Sequence, residues 1–295
     1  MPVTHLTTDS AHAREWISPA VATYIAQQLS LAGSQFLKLV TVIVVPLTNP
    51  DGYEYTHTTD RFWRKNRRRN IDPSGCVGID LNRNWNISWG NLDGTSNDPC
   101  SFQYCGDSAF SEPETRAIRN LTAIFLQKLS AYISLHSYGQ LVLHPWGHTD
   151  KKPPEYKKLM SMGKKLLRAL NNNSHSGYMA GQSSWVLYRS TGTSDDYMYN
   201  LGVPYTYTVE LPNTDSFELP TSEILPTAEH VWEAFVCFVG EVIGTPRAKS
   251  FCSKRIVTAI NDYNVTISSW VDKGVPLAEA KTRVLNDYKK KLADK

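Results

Sequence analysis

Leu39-Val40-Thr41-Val42-Ile43-Val44-Val45-Pro46-Leu47-Thr48-Asn49-Pro50-Asp51-Gly52 is the stretch on which the fold class turns. Its first seven residues form a nearly continuous β-branched run without polar alternation. That pattern predicts a strand buried on both faces, closed by the turn Thr48 to Gly52. Upstream, Ser18-Pro19 supplies an N-cap and a proline at the first helical position, and Val21, Ile25 and Leu29 continue at helical spacing towards Gly33, predicting a helix over 19–31. Downstream, Ser111 and Glu114 have capping-box spacing, with Ile118, Leu121, Phe125 and Leu126 behind them as the apolar face of a second helix. Ala131 to Leu135 reads as a short buried strand, 155–170 as a long helix, Tyr205 to Leu211 as a strand and Thr227 to Ile243 as a strongly apolar helix. Buried strands alternating with amphipathic helices predict an α/β fold with a mixed, mostly buried sheet flanked by helices.

Length and composition bound the rest. The 295 residues, 41% hydrophobic and 20% charged, suffice for one large core or two modest ones. The longest apolar run, Leu39 to Leu47, is broken by Thr41 and Pro46 and is far shorter than the roughly 20 residues of a membrane span, so no transmembrane helix is expected. The first residues carry neither a basic nor an apolar leader region, so no signal peptide is read there. Residues 247–295 hold 11 Lys/Arg against 5 Asp/Glu, a composition break from residues 1–246, where 20 Lys/Arg stand against 23 Asp/Glu. Four Asn-x-Ser/Thr sequons, at Asn86, Asn120, Asn172 and Asn264, are compatible with secretion. Five cysteines leave at least one without a partner in the chain. Between Trp63 and Ser111 periodicity vanishes, and a loop that long inside a compact domain is usually functional.

Within and around this loop stand the residues able to do chemistry. His12 and Glu15 lie three apart, one turn before the first helix, and His136 closes the Ala131 to Leu135 strand. Two histidines and a glutamate that leave a coordination position open form the ligand set of a hydrolytic zinc site, although a His-x-x-Glu pair alone also arises on exposed helical turns. Arg61 to Arg69 is densely cationic, either a solvated loop or an anion patch. Asp80-Leu81-Asn82-Arg83-Asn84-Trp85 sets a guanidinium between amides, suited to gripping a carboxylate, or is a turn with an ordinary surface arginine. Glu210 sits in an otherwise apolar strand, where a charge is costly unless it has a task or a partner.

Taken in order, His12-Ala13-Arg14-Glu15-Trp16, Asn49 to Tyr55, Arg61-Phe62-Trp63-Arg64-Lys65, Asp80 to Trp85 and Leu135-His136-Ser137-Tyr138 resemble the zinc metallocarboxypeptidases of the pancreatic carboxypeptidase A and B type over residues 1–246. The resemblance implies one Zn2+ per chain, held by His12, Glu15 and His136. It implies Glu210 as general base towards the attacking water and then proton donor, and Arg64 as the cation that stabilises the developing oxyanion. It further implies Asn82 and Arg83 as the grip on the substrate's terminal carboxylate, Tyr188 as the mobile tyrosine closing over it, and Arg14 and Tyr138 as secondary subsites. Asp195 matches the floor of the specificity pocket. The B type has Asp there and takes C-terminal Lys or Arg, whereas the A type has an apolar residue and takes apolar or aromatic ones; Asp196, one residue on, leaves the register open. Cys76 and Cys100 match the family's disulfide across the substrate loop, Cys105 is left as the odd thiol, and Cys237 and Cys252 are candidates for a bridge.

The expected function is therefore a secreted, monomeric, zinc-dependent exopeptidase acting on peptide C-termini with a preference for Lys and Arg, with neither nucleic acid nor membrane as partner. Alternatives are A-type specificity, a poorly active remnant that only binds zinc or peptide, and an anion-binding module built on Arg61 to Arg69 and the basic tail. The family's catalytic domain extends well upstream of its first zinc histidine, and only 11 residues precede His12. A catalytic domain over 1–246 truncated at its N-terminus and lacking the first edge strands is therefore expected, with a basic helical extension over 247–295. The strand leading into His12 must then come from Pro2 to Ala11, which is unusually polar for a buried strand.

Overall fold

The computed structural model describes residues 3–9, 11–31, 36–69, 75–171, 177–213 and 216–252. Its elements in chain order are β1 (Val3–Asp9), α1 (Ile17–Leu31), β2 (Val40–Val45), α2 (Pro50–Thr58), α3 (Pro113–Phe125), β3 (Leu129–Ser137), β4 (Leu141–His144), α4 (Tyr156–Leu170), β5 (Met179–Gln182), α5 (Ser183–Val186), α6 (Ser194–Asn200), β6 (Tyr205–Leu211), α7 (Thr221–Ile243) and α8 (Pro246–Lys249), with single 3-10 turns at Leu81–Arg83, Leu126–Lys128 and Ser250–Cys252. The six strands form one open sheet in the order β2-β1-β3-β6-β4-β5. Four are mutually parallel, and β4 runs antiparallel to β6, which makes the sheet mixed. The expected α/β architecture with flanking helices is what is observed.

The segment from Val3 to Asp9 is a strand despite its polar composition, because its backbone is paired on both sides, with β2 and with β3. The β-branched run is also a strand, but it is not buried on both faces. β2 is the outermost strand of the sheet, and only Val40 is buried while Thr41 is exposed. Apolar composition reports what a strand tolerates, and an edge position removes one neighbour from every residue.

Helix boundaries shift for local reasons. α1 starts at Ile17, and the buried Ser18 hydroxyl, without a hydrogen-bond partner among the described residues, caps none of them. The capping box at Ser111 does not form. Ser111 instead donates to Glu112 Oε1 at 2.7 Å, and Asn84 Oδ1 accepts from the Glu112 N–H at 3.3 Å and the Thr115 hydroxyl at 2.8 Å. α7 begins six residues earlier than read and carries Pro226 as its sixth residue, past the N–H groups that a helix start leaves unpaired, so the Ser222 carbonyl lacks its intrahelical donor there. Around the sheet, α1, α4 and α7 bury one large cluster with Ile25, Leu135, Tyr207 and Phe238 at its centre, and a smaller cluster of Trp85, Ile118, Tyr132 and Met198 fills the opposite face. The disulfide Cys237–Cys252 ties α7 to the turn that follows α8. Most of the expected helical extension over 247–295 lies outside the described residues, which end at Cys252.

Candidate active site

Three buried side chains converge beyond the C-terminal ends of β1 and β3. His12 and Glu15 come from the turn joining β1 to α1, where the Glu15 N–H donates to the His12 carbonyl at 3.2 Å. His136 is the penultimate residue of β3. Glu15 Oε1 lies 2.7 Å from His12 Nδ1, Glu15 Oε2 lies 3.0 Å from His136 Nδ1, and the two Nδ1 atoms are 3.1 Å apart. Two imidazole nitrogens and a carboxylate that converge in this way make a set able to share one cation, and all the ligand atoms lie within 4.8 Å of one another.

The outer shell points the same way. His12 Nε2 lies 3.2 Å from Asp80 Oδ1, a carboxylate that only accepts, which favours the proton on Nε2 and leaves Nδ1 to ligate, and His136 Nε2 lies 3.0 Å from the Ser134 hydroxyl, which is able to accept from it in the same way. Burial and the Arg64 charge lower the His12 pKa, keeping its imidazole neutral as a ligand must be. Burial opposes ionisation of Glu15, but His12 and His136 outweigh it and hold the carboxyl below the ordinary range. For His136 burial is likewise outweighed, chiefly by Glu15, and its pKa rises. Three buried N and O ligands with an open side and an anchored outer shell fit Zn2+.

Asp80 is the hub of this region. It is fully buried at the start of the Leu81–Arg83 turn, and its Oδ1 accepts from the Asn82 N–H at 2.9 Å as well as facing His12. Its Oδ2 takes two hydrogen bonds from Arg64, at 3.0 Å from Nε and 2.8 Å from Nη2. Burial opposes its charge, but Arg64, then His12 and Arg83, hold it well below the usual carboxylate range. One carboxylate thereby orients both a metal-type ligand and the neighbouring guanidinium.

A cleft opens beside the triad, lined by His12, Arg64, Asn82, Arg83, Tyr188, Asp195 and Glu210 among others. Asn82 has its side-chain oxygen taken by the Ser194 N–H at 2.9 Å, which leaves its NH2 end for the cleft. Arg83 is buried and braced by the Gly94 and Asn82 carbonyls, each at 2.8 Å. The chain passes close behind it only because residue 192 is glycine. Gly192 has φ +67°, and a Cβ there would stand 2.3 Å from the Arg83 carbonyl oxygen. Tyr188 sits at the mouth and is half exposed.

Glu210 faces the triad because β3 and β6 pair in parallel with His136 opposite Glu210. Burial raises its pKa to about 7, with His136 and Arg64 pulling against that rise. The two adjacent aspartates on α6 separate cleanly. Asp196 is consumed by the N–H groups of Gly147 and His148 and by His148 Nδ1 at 2.6 Å. Asp195 lines the cleft, forms no ion pair among the described residues, and is pushed up to about 6 by burial and then by Asp196.

Arg14 and Tyr138 lie outside this cleft. The Arg14 guanidinium stacks 4.2 Å from the centre of the Phe217 ring, and Tyr138 meets the same ring edge-on at 4.9 Å. Phe217 is a member of this group that no periodicity or motif flagged. Most of the cationic stretch is engaged within the protein: besides Arg64, Lys65 donates to the Pro99 carbonyl at 2.6 Å, Arg67 lies over Tyr55 at 3.6 Å, and Arg68 pairs with Glu112 and Asp107, while Arg69 is exposed. Cys76 and Cys100 form a disulfide across the long loop, and Cys105 is a buried free thiol. Asp80, Ser134 and Ser194 were not singled out from sequence, because their partners are other protein atoms and a short motif does not display such pairings.

Among known proteins, the chain is 39% identical over 201 residues to carboxypeptidase B of Helicoverpa zea, covering 65% of this chain and 47% of that protein. It is 40% identical over 232 residues to carboxypeptidase A4 of Mus musculus, covering 75% of this chain and 54% of that protein. The chain thus spans about half the length of these curated relatives. Bovine thrombin-activatable fibrinolysis inhibitor, solved in complex with tick carboxypeptidase inhibitor, matches with TM-score 0.78 at 34% identity over 82% of each chain. With the zinc carboxypeptidase profile matching residues 6–234 as well, the chain belongs to the zinc carboxypeptidase family.

Proposed function

We propose that this protein is a secreted, zinc-dependent exopeptidase that releases the C-terminal residue of peptides and proteins, with a preference for Lys and Arg. The observation that carries the preference is Asp195: a buried carboxylate on the wall of the cleft that forms no ion pair among the described residues. A charge in that setting is stabilised when a cationic side chain enters, and an apolar side chain leaves it unpaired. The two disulfides support an oxidising, extracellular setting. We take the active species to be the monomer, since every residue invoked comes from one chain.

His12, Glu15 and His136 would hold the Zn2+. The ion supplies Lewis-acid activation of the scissile carbonyl and of a water nucleophile. Arg83 and the Asn82 amide grip the terminal carboxylate, which admits only the last residue of a chain. Glu210 takes the proton of the attacking water and returns it to the leaving amine, a task matched to a carboxyl raised towards neutrality. Arg64, held by Asp80, presents its remaining donors where negative charge develops. Tyr188 closes the mouth and excludes water.

The test is release of Lys or Arg against Phe or Leu from matched blocked dipeptides, with added zinc and with a chelator. Chelator-sensitive release of the basic residues is expected. Preferential release of Phe overturns the assignment of Asp195, and no release from folded, zinc-loaded protein overturns the enzymatic reading in favour of a binding remnant.

A further inference from the structure

The outer face of α4 breaks the local rules that an ordinary solvated helix follows. Seven of the 20 Lys/Arg of residues 1–246 fall within 151–168, beside a single acid, Glu155. α4 itself, Tyr-Lys-Lys-Leu-Met-Ser-Met-Gly-Lys-Lys-Leu-Leu-Arg-Ala-Leu, contains no acid at all. Lys157 and Lys158 occupy its first turn, the positive end of the helix dipole, where anions belong. Lys164 and Arg168 are like charges at i,i+4, with no intervening partner. A sequence that sets charge against its own helix in both ways is acting on something other than the helix.

The geometry collects these charges. Lys157, Ser161, Lys164 and Arg168 stand at i, i+4, i+7 and i+11, all exposed, forming one stripe about 16 Å long. Lys157, Lys164 and Arg168 make no ion pair or hydrogen bond through their side chains among the described residues, whereas at the stripe's flank Lys165 and Lys249 share Glu241 at 2.5 and 3.4 Å. The apolar face, with Leu159, Met162, Leu166 and Leu170, is buried against the body of the domain.

We infer that this stripe is a docking surface for a linear sulfated polysaccharide. A row of unpaired cations at helical spacing fits a linear polyanion, whose binding gains from counterion release. A bilayer is disfavoured, because the helix has no apolar face left to insert. Single-stranded nucleic acid is disfavoured, because the stripe carries no aromatic platform for bases. The two disulfides point to an extracellular setting, where sulfated glycans are the abundant polyanions.

The test uses the full chain loaded with zinc and a heparin octasaccharide as probe, with Kd measured from 0.05 to 0.3 M NaCl. Lys157→Ala/Lys164→Ala/Arg168→Ala should weaken binding at least tenfold at 0.15 M salt and lower the slope of log Kd against log salt by about two to three, about one per lost cation. These alanines favour the helix and relieve its repulsion, so thermal stability should hold or rise. The matching triple Gln variant provides a second, independent loss. Lys289→Gln/Lys290→Gln/Lys291→Gln, in the basic tail, should leave binding unchanged. The inference is overturned if the wild type fails to bind at 0.15 M salt or if both triple variants bind as the wild type does. It is equally overturned if the tail variant alone loses binding, or if a DNA duplex or phosphatidylserine vesicles of equal charge bind more tightly than heparin.

Discussion

Asp195→Asn tests both the specificity pocket and the electrostatics behind it. Burial, and then Asp196, raise the Asp195 pKa from 3.8 to about 6, so the folded state disfavours its charge. Below pH 3.8 the carboxyl is protonated in both folded and unfolded states and contributes no difference. As pH rises from 3.8 to 6 the unfolded chain ionises first, and stability falls by about 1.4 kcal/mol per unit until it levels off above pH 6. Removing the ionisable group removes that penalty. Relative to wild type, the variant should therefore gain little at pH 4, more at pH 5, and on the order of 3 kcal/mol by pH 7. The same substitution deletes the cation's partner, and at pH 7.5 it should cut the preference for Lys and Arg over Leu by about 10- to 100-fold, the worth of a charge-assisted hydrogen bond. Urea denaturation of both proteins at pH 4, 5, 6 and 7 measures the first effect. Any constant cost of the new amide shifts all four points equally, so the slope isolates the titration. A difference that does not grow between pH 4 and 7 refutes the reasoning, and so does a variant that keeps its full basic preference.

Glu210→Gln should lower kcat by about 10²- to 10⁴-fold while KM and zinc content stay unchanged, as steady-state kinetics and metal analysis will show. Because burial raises the Glu210 pKa to about 7 and only the ionised form accepts a proton, kcat/KM of the wild type should rise with pH through an acid limb at or below about 7, the metal cation drawing the limb downwards. Asp80→Ala leaves Arg64 buried and unpaired, and should cost about 3 to 5 kcal/mol of stability and weaken zinc binding by about 10- to 100-fold in a competitive chelator titration. Cys76→Ser opens a loop closed across a separation of 24 residues and should cost about 3.5 kcal/mol by chain entropy, read from the shift in the urea midpoint.

The parts of the fold legible in sequence are those where one physical cause dominates. β6 and α4 match within a residue because the alternation along Tyr205 to Leu211 and the helical period over 155–170 leave no competitor. β4 and β5 escaped, being four residues each and too short for a period to show. β1 was expected only because something had to lead into His12. Its polar sequence carries no strand signal, and the strand exists because two neighbours complete its hydrogen bonds. The placement of β2 at the edge is likewise a property of the sheet, not of the run Val40–Val45. In the site, Glu210 stands out by residue type, since an acid in an apolar strand breaks a local expectation, whereas the His12-x-x-Glu15 pair is ordinary on an exposed turn and gains its meaning, with His136, only from the resemblance of five motifs in order. Asp80 does not stand out, because an aspartate before a tight turn looks ordinary until Arg64 and His12 are seen on its two oxygens.

The pairing of His136 with Glu210 across β3 and β6 has a mechanical meaning. The lateral spacing of adjacent strands is fixed by peptide hydrogen bonds at about 4.8 Å and varies little among proteins. The backbone therefore acts as a ruler between the imidazole proposed to hold the metal and the carboxyl proposed to carry the proton, and the interval does not depend on how tightly the surrounding core is filled. Substitutions that swell or shrink the interior should tilt or loosen the sheet as a unit while this gap stays constant. Changes that alter the gap must act on the two side chains themselves, or slide one strand past the other by whole residues.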